Sequence, residues 1–411
     1  MPLSNFVRDL QAGLDELQSS GTAKGAEFVV REVVRPTGEK GPRLKLVGFG
    51  DKEFVRMNAN SYLGMSIREQ VIGAEEDAAA RYGVGPGAVR FISGTFEPHV
   101  ELEKRLAAFH GREACMITSA AYTSVMGVIA TLTTPETIII SDELNHNCII
   151  NAMKLARPKD KLIYKHVNMG ELEDRLKQAA GACEHVIVVT DGIFSMRGVY
   201  APLDKIHALV KKYNDRFPKD IVLIVDDSHG VGALGETGRG TEEYTKCGQV
   251  DILVATLGKA LGVNGGYIVT KKEIVQYLRE KNPFYIYTNP ITPSEAAASI
   301  AALDLLDSPK GRELLKHLKA MTEKFEKGLT TLGYETFPSP HPVTPLMVRD
   351  TDRTRDMVAF LREHGVLATG LNFPVVPKGD QSIRFQVAAD HTPYDIDYVL
   401  GVLARYKKER G

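Results

Sequence analysis

Two apolar runs with polar ends stand out in the pattern of the chain between residues 221 and 261. The first run, IVLIV, is followed by Asp226 and His229, and the second, ILVA, is followed closely by Lys259. Unbroken β-branched runs of this length predict strands that are buried on both faces, as in a parallel sheet. Ligands bind at the carboxyl ends of such strands, so we expect the carboxylate, the imidazole and the amine to converge.

The alternation of apolar strands with helical patterns extends from about residue 110 to residue 270. This βαβ rhythm predicts an α/β protein with a large, doubly wound and mainly parallel sheet. Residues 4–20 carry apolar side chains at helical spacing, and residues 28–57 alternate in the manner of short antiparallel strands. We expect three segments: an N-terminal arm helix and hairpin at 1–57, a large domain at 58–295 and a smaller α+β domain at 296–411.

The composition is that of an ordinary globular protein. The 411 residues are 43% apolar and 25% charged, which is enough for two domains with a large core. The net charge of −1 provides no bulk attraction to nucleic acid or to anionic membranes. The N-terminus lacks a signal-peptide pattern, and no run of about 18 apolar residues predicts a membrane span. Four cysteines without CxxC spacing indicate reduced thiols in a cytoplasmic protein, with neither a disulfide frame nor a metal site.

A carboxylate, an imidazole and a primary amine at buried strand ends suit a pyridine-ring cofactor that is bound as a Schiff base. Lys259 would carry the aldehyde, and an ionised Asp226 would keep the ring nitrogen protonated so that the ring accepts electrons. His229 would hydrogen-bond the phenolic oxygen, and the hydroxyl of Thr256 would meet the phosphate. The alternative is an ion pair between Lys259 and an aspartate, although a buried ion pair rarely offsets its desolvation cost.

Other candidate residues occur where predicted strands end. Tyr122 follows the strand ACMIT at the start of a helix, and the amides and dipole of a helix N-terminus favour a phosphate. His146 ends the strand TIIISDELNH, where its ring could stack on a pyridine ring or pack in the core. Ser195 follows the strand EHVIVVTDGIF at the same edge of the sheet. Asn60 lies in a turn, where it could contact a substrate or serve the turn alone.

The motifs become specific when they are taken together. They occur in one order along nearly the whole chain: SYLG, VRFISGT, SDELNH, TDGIFSM, VDDSHGVGALGETGRG, TLGKALG, GGY, FPVVPKG and IRFQVAADHT. In that order they resemble the α-oxoamine synthases, which are pyridoxal-phosphate (PLP) enzymes of fold type I, the aspartate-aminotransferase fold. The segments NFPVVPKG and SDELNHNCIIN are most similar to the glycine C-acetyltransferase (2-amino-3-ketobutyrate CoA ligase) branch of that family.

The resemblance implies a role for each candidate. It assigns Lys259 to the Schiff base, Asp226 to the pyridine nitrogen and His146 to the face of the ring. It places His229 and Ser195 near the phenolic oxygen, and it makes Lys259, Asp226, His146 and His229 the catalytic residues. The remaining assignments are Ala121, Tyr122 and Thr256 to the phosphate, Thr288 to the phosphate in the neighbouring subunit's site, and Asn60 and Arg384 to the amino-acid substrate.

The implied reaction joins an amino acid, with glycine favoured, to an acyl-CoA thioester and releases CoA. The alternatives are a decarboxylating condensation of serine or alanine with a long-chain acyl-CoA or acyl carrier protein, and an aminotransferase or aldolase reaction on the same cofactor. The resemblance also implies a homodimer with shared active sites. Arg197 departs from the family pattern, since it replaces the acid of the usual SMDG; it could attract an anionic substrate group or simply face solvent.

Overall fold

The computed structural model describes residues 3–20, 22, 23, 25–373 and 375–411, and it divides the chain into two compact units. The larger unit contains Asn60–Ala320 and Ser339–Pro342. The smaller unit contains the described residues up to Ala59 together with Met321–Pro338 and Val343–Gly411. The three predicted segments group the chain differently, because they separate its two terminal parts and place the second boundary at 295. Pro374 of the FPVVPKG motif lies outside the described residues.

The elements follow one another along the chain in a simple order. The N-terminal part contains α1 (Ser4–Ser19), β1 (Val30–Val34), β2 (Arg43–Leu46) and β3 (Glu53–Arg56). The helices of the larger unit are α2 (Glu69–Tyr82), α3 (Glu97–Phe109), α4 (Ala121–Leu132), α5 (Asn147–Ala156), α6 (Met169–Ala179), α7 (Leu203–Tyr213), α8 (Thr241–Thr245), α9 (Lys272–Lys281), α10 (Pro283–Ile286) and α11 (Pro293–Leu306). Its strands are β4 (Ala114–Thr118), β5 (Thr137–Asp142), β6 (Asp160–Tyr164), β7 (His185–Asp191), β8 (Ile193–Phe194), β9 (Val199–Tyr200), β10 (Ile221–Asp226), β11 (Ile252–Thr256) and β12 (Gly266–Thr270).

The C-terminal part begins within one long helix. That helix, α12 (Pro309–Thr331), starts in the larger unit and ends in the smaller one. It is followed by β13 (Glu335–Thr336), β14 (Val343–Met347), α13 (Thr351–Glu363), β15 (Val366–Leu367), β16 (Thr369–Leu371), β17 (Ser382–Gln386) and α14 (Pro393–Arg410). Single 3₁₀ turns occur at Met65–Ile67 and Asn214–Arg216.

The large sheet has seven strands in the order β4-β12-β11-β10-β7-β5-β6. The strands from β11 to β6 pair in parallel, whereas β12 is antiparallel to both of its neighbours. This arrangement confirms the predicted mainly parallel sheet of the aminotransferase-like fold. The antiparallel β12 was not predicted, because the alternation of apolar residues does not encode the direction of a strand.

The core of the larger unit lies between the parallel strands and the helices that cover them. Ile139, Val188 and Leu223 are fully buried near the middle of β5, β7 and β10, and Val128 of α4 belongs to the core against one face of the sheet. Burying one such side chain contributes about 1.5–3 kcal/mol, so the apolar runs stabilise the sheet strongly. Polar residues begin where the strands end, at the edge of the sheet where ligands bind in this kind of fold.

The smaller unit has two antiparallel-rich sheets. One has the order β1-β2-β3-β15, and its first three strands confirm the antiparallel pattern predicted for residues 28–57. The other has the order β13-β14-β17-β16. A buried ion pair joins Arg43 of β2 to Asp395 in the first turn of α14, so the positive charge of Arg43 is used inside this unit.

Helix α1 confirms the predicted N-terminal helix, and its apolar stripe is largely exposed. Phe6 is 61% exposed, and Leu10 and Leu14 are exposed on the same stripe. Within the part of the chain that the structure describes, no helix is both long and apolar enough to cross a membrane.

Candidate active site

Two parallel strands bring a pair of carboxyl groups to one edge of the large sheet. Asp226 ends β10 and lies beside Asp191, the last residue of β7, in the register of the two strands. Both side chains are buried. Lys259 comes soon after β11, the other parallel neighbour of β10. The strand order therefore brings the predicted carboxylate and amine to the same edge.

The charges at this edge influence one another. Burial raises the pKa of Asp191 well above its ordinary value, the neighbouring Asp226 carboxylate adds to the rise, and the Lys259 ammonium opposes it. Asp191 therefore favours its neutral form, because two adjacent buried carboxylates resist carrying two negative charges. The carboxyl group of Asp226 ends the neighbouring strand, where it can accept a hydrogen bond from a protonated pyridine nitrogen.

His146 lies at the N-cap of α5, within the same group of charges. Its backbone amide donates to Asp191 Oδ2 at 2.9 Å, and its Nδ1 accepts from the amide of Cys148 at 3.3 Å. Burial of the imidazole lowers its pKa, the Lys259 ammonium lowers it further, and Asp226 opposes both effects. The residue nevertheless keeps an exposed side, and its ring lies 6.2 Å from the ring of Tyr122. A neutral, partly open imidazole of this kind can cover the face of an aromatic ligand.

Cys148 was not predicted as a site residue, yet it lies between two that were. Its Sγ is 2.9 Å from His146 Nδ1 and 3.6 Å from Asp226 Oδ2. Burial, together with the nearby Asp226 carboxylate, raises the pKa of the thiol well above its ordinary value, so the sulfur stays protonated. The sequence feature that could have identified Cys148 is its position two residues after His146, on the first turn of a helix.

His229 is buried in a loop that follows β10. Its Nδ1 lies 2.7 Å from the hydroxyl of Tyr62, and its carbonyl oxygen lies 2.9 Å from Nε2 of His341. The sequence did not indicate either contact. Tyr62 was noted only as part of the SYLG motif, and His341 is 112 residues further along the chain than His229.

The start of helix α4 forms the other end of the candidate site. The helix begins at Ala121 without a side-chain cap, so the first amides retain the donor capacity that favours a phosphate. Gly266 of β12 approaches closely: a Cβ added there would lie 2.3 Å from the amide nitrogen of Ala121. Thr256 lies at the end of the adjacent strand, where its hydroxyl donates to Gly265 O at 3.1 Å and accepts from Gly258 N at 3.0 Å.

The other predicted residues have more varied positions. Ser195 is half-buried directly after β8, and Asn60 is half-buried with its Oδ1 3.4 Å from the Tyr62 hydroxyl. Thr288 follows α10 and is half-buried beside the exposed Tyr287. Arg384 belongs to the smaller unit, where it lies on β17 opposite residues of β14 and β16. The structure therefore brings Asp226, His146 and Lys259 close together. The roles of Ser195, Asn60, Thr288 and Arg384 stay predictions.

These residues fit a pyridoxal-phosphate group. The buried Asp226 suits a protonated ring nitrogen, the nearby Lys259 suits the aldehyde, and the uncapped start of α4 suits the phosphate. The close approach of Gly266 to the first amide of that helix leaves no room for a larger side chain, as expected where backbone must surround a ligand.

A family of known proteins and several of its individual relatives match this chain over most of its length. The family described as aminotransferase class I and II matches residues 52–403. The 2-amino-3-ketobutyrate coenzyme A ligase of Escherichia coli is 40% identical over 357 residues, which cover 86% of this chain and 87% of the relative. The 8-amino-7-oxononanoate synthase of Thermosipho melanesiensis is 38% identical over 361 residues, which cover 88% of this chain and 90% of the relative.

Solved structures agree with the sequence relatives. A serine palmitoyltransferase from Sphingomonas wittichii superposes with a TM-score of 0.89 at 26% identity, covering 99% of this chain and 98% of the other. Another, from S. paucimobilis with a bound PLP–myriocin aldimine, has a TM-score of 0.87 at 25% identity with the same coverage. The family and fold predicted from the motifs are thus confirmed, and the cofactor is pyridoxal 5′-phosphate. The chain belongs to the α-oxoamine synthase family of PLP-dependent enzymes.

Proposed function

We propose that this enzyme condenses glycine with a short acyl-CoA, releases CoA and keeps the carboxylate in its product. The observation that carries the proposal is the convergence of Lys259, Asp226 and His146 at one sheet edge. The similarity to 2-amino-3-ketobutyrate coenzyme A ligase supports this substrate pair. An amino ketone that retains a carboxylate is what glycine and an acetyl thioester form when no carbon dioxide is lost.

In this proposal, each candidate catalytic residue of the larger unit has a chemical role. When bound, PLP supplies an electron sink that is conjugated with the α-carbon of the amino acid. Lys259 would hold the cofactor aldehyde until the substrate amine takes its place, and its freed Nζ would then remove the α-proton. Asp226 would hold the proton on the ring nitrogen, and His146 would cover the ring and exclude water from that face.

The substrates are held by residues outside the carboxylate pair. Asn60 and Arg384 bind the amino-acid carboxylate, and Arg384 suits that task because its guanidinium can make two parallel hydrogen bonds. The α-carbon, which has lost its proton to Lys259, forms a bond to the thioester carbonyl carbon as the carbon–sulfur bond breaks. The thiolate leaves and takes up the proton that Lys259 removed. His229 and Ser195 would hold the phenolic oxygen of the cofactor.

The assembly and location of the enzyme are also part of the proposal. We place it in the cytoplasm as a homodimer in which Thr288 contacts the phosphate in the neighbouring subunit's site. The support is that Thr288 stands beside the 79% exposed Tyr287, because an exposed aromatic residue next to a predicted phosphate ligand suits a subunit interface.

A second candidate is the decarboxylating condensation of alanine or serine with a longer acyl thioester. It is supported by the 8-amino-7-oxononanoate synthase of Petrotoga mobilis, which is 36% identical over 99% of this chain, and by the similarity to serine palmitoyltransferases. Transamination and aldol cleavage are weaker candidates, because neither reaction uses an acyl thioester.

A matrix of substrates distinguishes these reactions. Glycine, alanine and serine are each combined with acetyl-CoA and palmitoyl-CoA, while free thiol and trapped carbon dioxide are measured. We expect thiol release to be fastest with glycine and acetyl-CoA, with no carbon dioxide. Faster release with serine or alanine, accompanied by carbon dioxide, would replace the first candidate with the second.

Lys259→Ala provides the internal test of the mechanism. We expect it to remove turnover and the visible absorption of the bound cofactor while the far-ultraviolet circular dichroism stays unchanged. Lys272→Ala is the matched control, since Lys272 is exposed on α9. Full turnover by the Lys259 variant would exclude the proposed role of this amine.

A further inference from the structure

The hydroxyl of the buried Tyr62 lies between two predicted site residues. Its oxygen is 2.7 Å from His229 Nδ1 and 3.4 Å from Asn60 Oδ1, and the side chain is fully buried. A tyrosine hydroxyl has a single proton to donate. The shorter of the two contacts is the stronger hydrogen bond, so the tyrosine acts chiefly on the imidazole.

We propose that Tyr62 is a positioning residue that keeps the proton of His229 on Nε2. In a neutral imidazole, the partner of one nitrogen decides which nitrogen carries the proton. A hydroxyl that donates to Nδ1 leaves the proton on Nε2, and Nε2 can then donate to an oxygen anion. This inference rests on the proposed function, in which His229 meets the phenolic oxygen of the cofactor.

A hydrogen bond also holds the backbone of His229. His341 is fully buried, and its Nε2 donates to the carbonyl oxygen of His229 at 2.9 Å. The ring of His341 also packs edge-on against the ring of Tyr62, with the centroids 5.1 Å apart. Tyr62 therefore acts on an imidazole whose main chain is already fixed, so the hydroxyl determines its ring orientation and tautomer.

The chain contains a matched pair for comparison. Tyr267 is also fully buried, and its hydroxyl lies 2.9 Å from Nε2 of the buried His110. Neither Tyr267 nor His110 belongs to the predicted site. Replacing either tyrosine by phenylalanine removes one buried tyrosine–histidine hydrogen bond, so a purely structural role predicts similar effects for both.

The test compares Tyr62→Phe with Tyr267→Phe, and it repeats Tyr62→Phe in a His229→Ala background. The readouts are the Kd of the apoprotein for PLP, the absorption spectrum of the bound cofactor, and kcat and KM with the best substrate pair. We expect Tyr62→Phe alone to raise the PLP Kd and lower kcat by about tenfold each, the size of one hydrogen bond, and to change the spectrum. Tyr267→Phe should change none of these.

The double variant decides whether Tyr62 acts through His229. We expect less than about a twofold further change in PLP Kd when Tyr62→Phe is added to His229→Ala, because interacting residues are not additive. A full tenfold change in that background, or equal effects of Tyr62→Phe and Tyr267→Phe, would overturn the proposal. PLP affinity and the spectrum require no substrate, so absence of thiol release in the unmodified enzyme would contradict the proposed function alone.

Discussion

The two ends of the proposed cofactor site are built from different parts of the protein. At the nitrogen end, Asp226, Asp191 and His146 are side chains that change one another's charge. At the phosphate end, the main contributions are the backbone of α4 at Ala121 and the close approach of Gly266. One end therefore depends on the charges of side chains, and the other depends on the space between main chains.

The difference implies two separate kinds of sensitivity. A neutral isostere at the nitrogen end should leave the shape of the site intact and alter the chemistry. A single added methyl group at the phosphate end should leave the charges intact and alter binding. Substitutions of these two kinds can therefore show whether the ends are independent.

The largest effect is expected from Asp226→Asn. In the unmodified protein, Ser228 N donates to Asp226 Oδ1 at 3.1 Å, and the amide oxygen of an asparagine can accept the same hydrogen bond. The variant lacks the negative charge that the ring nitrogen requires. We expect kcat to fall by about a hundredfold or more, because a hydrogen bond to a charged group is lost. PLP should still bind, and steady-state kinetics with a PLP titration measure both quantities.

Asp204→Asn is the control for that variant, because Asp204 is an exposed acid at the start of α7. Its kcat should equal that of the unmodified enzyme. If Asp226→Asn instead weakened PLP binding strongly with kcat unchanged at saturating cofactor, the assignment of charge to the nitrogen end would be wrong.

The next effect is expected from Gly266→Ala at the phosphate end. The new Cβ would lie 2.3 Å from Ala121 N and 2.4 Å from its Cα, so one backbone must move. We expect PLP affinity to fall about tenfold or more, since overpacking of this kind costs roughly 1–3 kcal/mol. Equilibrium dialysis of the apoprotein against PLP measures the loss.

The control for the glycine is Gly73→Ala, on helix α2. A Cβ at Gly73 meets no atom within 4 Å, and alanine favours a helix over glycine by about 0.5–1 kcal/mol. This variant should bind PLP normally and unfold at a slightly higher urea concentration. If Gly266→Ala bound PLP with normal affinity, the phosphate would not bind at the start of α4.

The last prediction concerns the dependence of stability on pH, and it tests Asp227, the residue that follows Asp226. Burial raises the pKa of Asp227 from 3.8 to about 7, so the folded protein keeps a proton that the unfolded chain loses between these values. The contribution of Asp227 to the free energy of unfolding therefore falls as pH rises from about 4 to about 7. Thr241 N donates to Asp227 Oδ2 and the Thr241 hydroxyl donates to Asp227 Oδ1. The side-chain oxygen of an asparagine can accept one of these hydrogen bonds.

We expect Asp227→Asn to become more stable, relative to the unmodified protein, by a few kcal/mol across that pH range. Urea unfolding of both proteins at several pH values measures the difference. A constant difference for Asp227→Asn would mean that Asp227 is ionised throughout.

The sequence was sufficient for the residues that end apolar strands. Asp226 and Lys259 could be identified because β-branched runs predict parallel strands, and parallel strands have their carboxyl ends at one edge.

The contact of Tyr62 with His229 joins positions 167 apart, and no periodic pattern links them. The protonated state of Asp191 depends on burial beside another strand end, which becomes known only with the strand order. The unit boundary near residue 320 falls inside the continuous helix α12, where the sequence has no linker signal.

The antiparallel strand β12 also has a consequence for the order of events during synthesis. It is the neighbour of β4 in the sheet order, and the contact between Thr118 and Gly266 joins positions 148 apart. Strand β4 and the helix start that follows it must therefore remain without their sheet neighbour until most of the chain has left the ribosome. Contacts so distant in sequence form slowly, because a long loop must close first. A nascent chain should gain the ability to capture its cofactor only late, in the same step that closes the sheet.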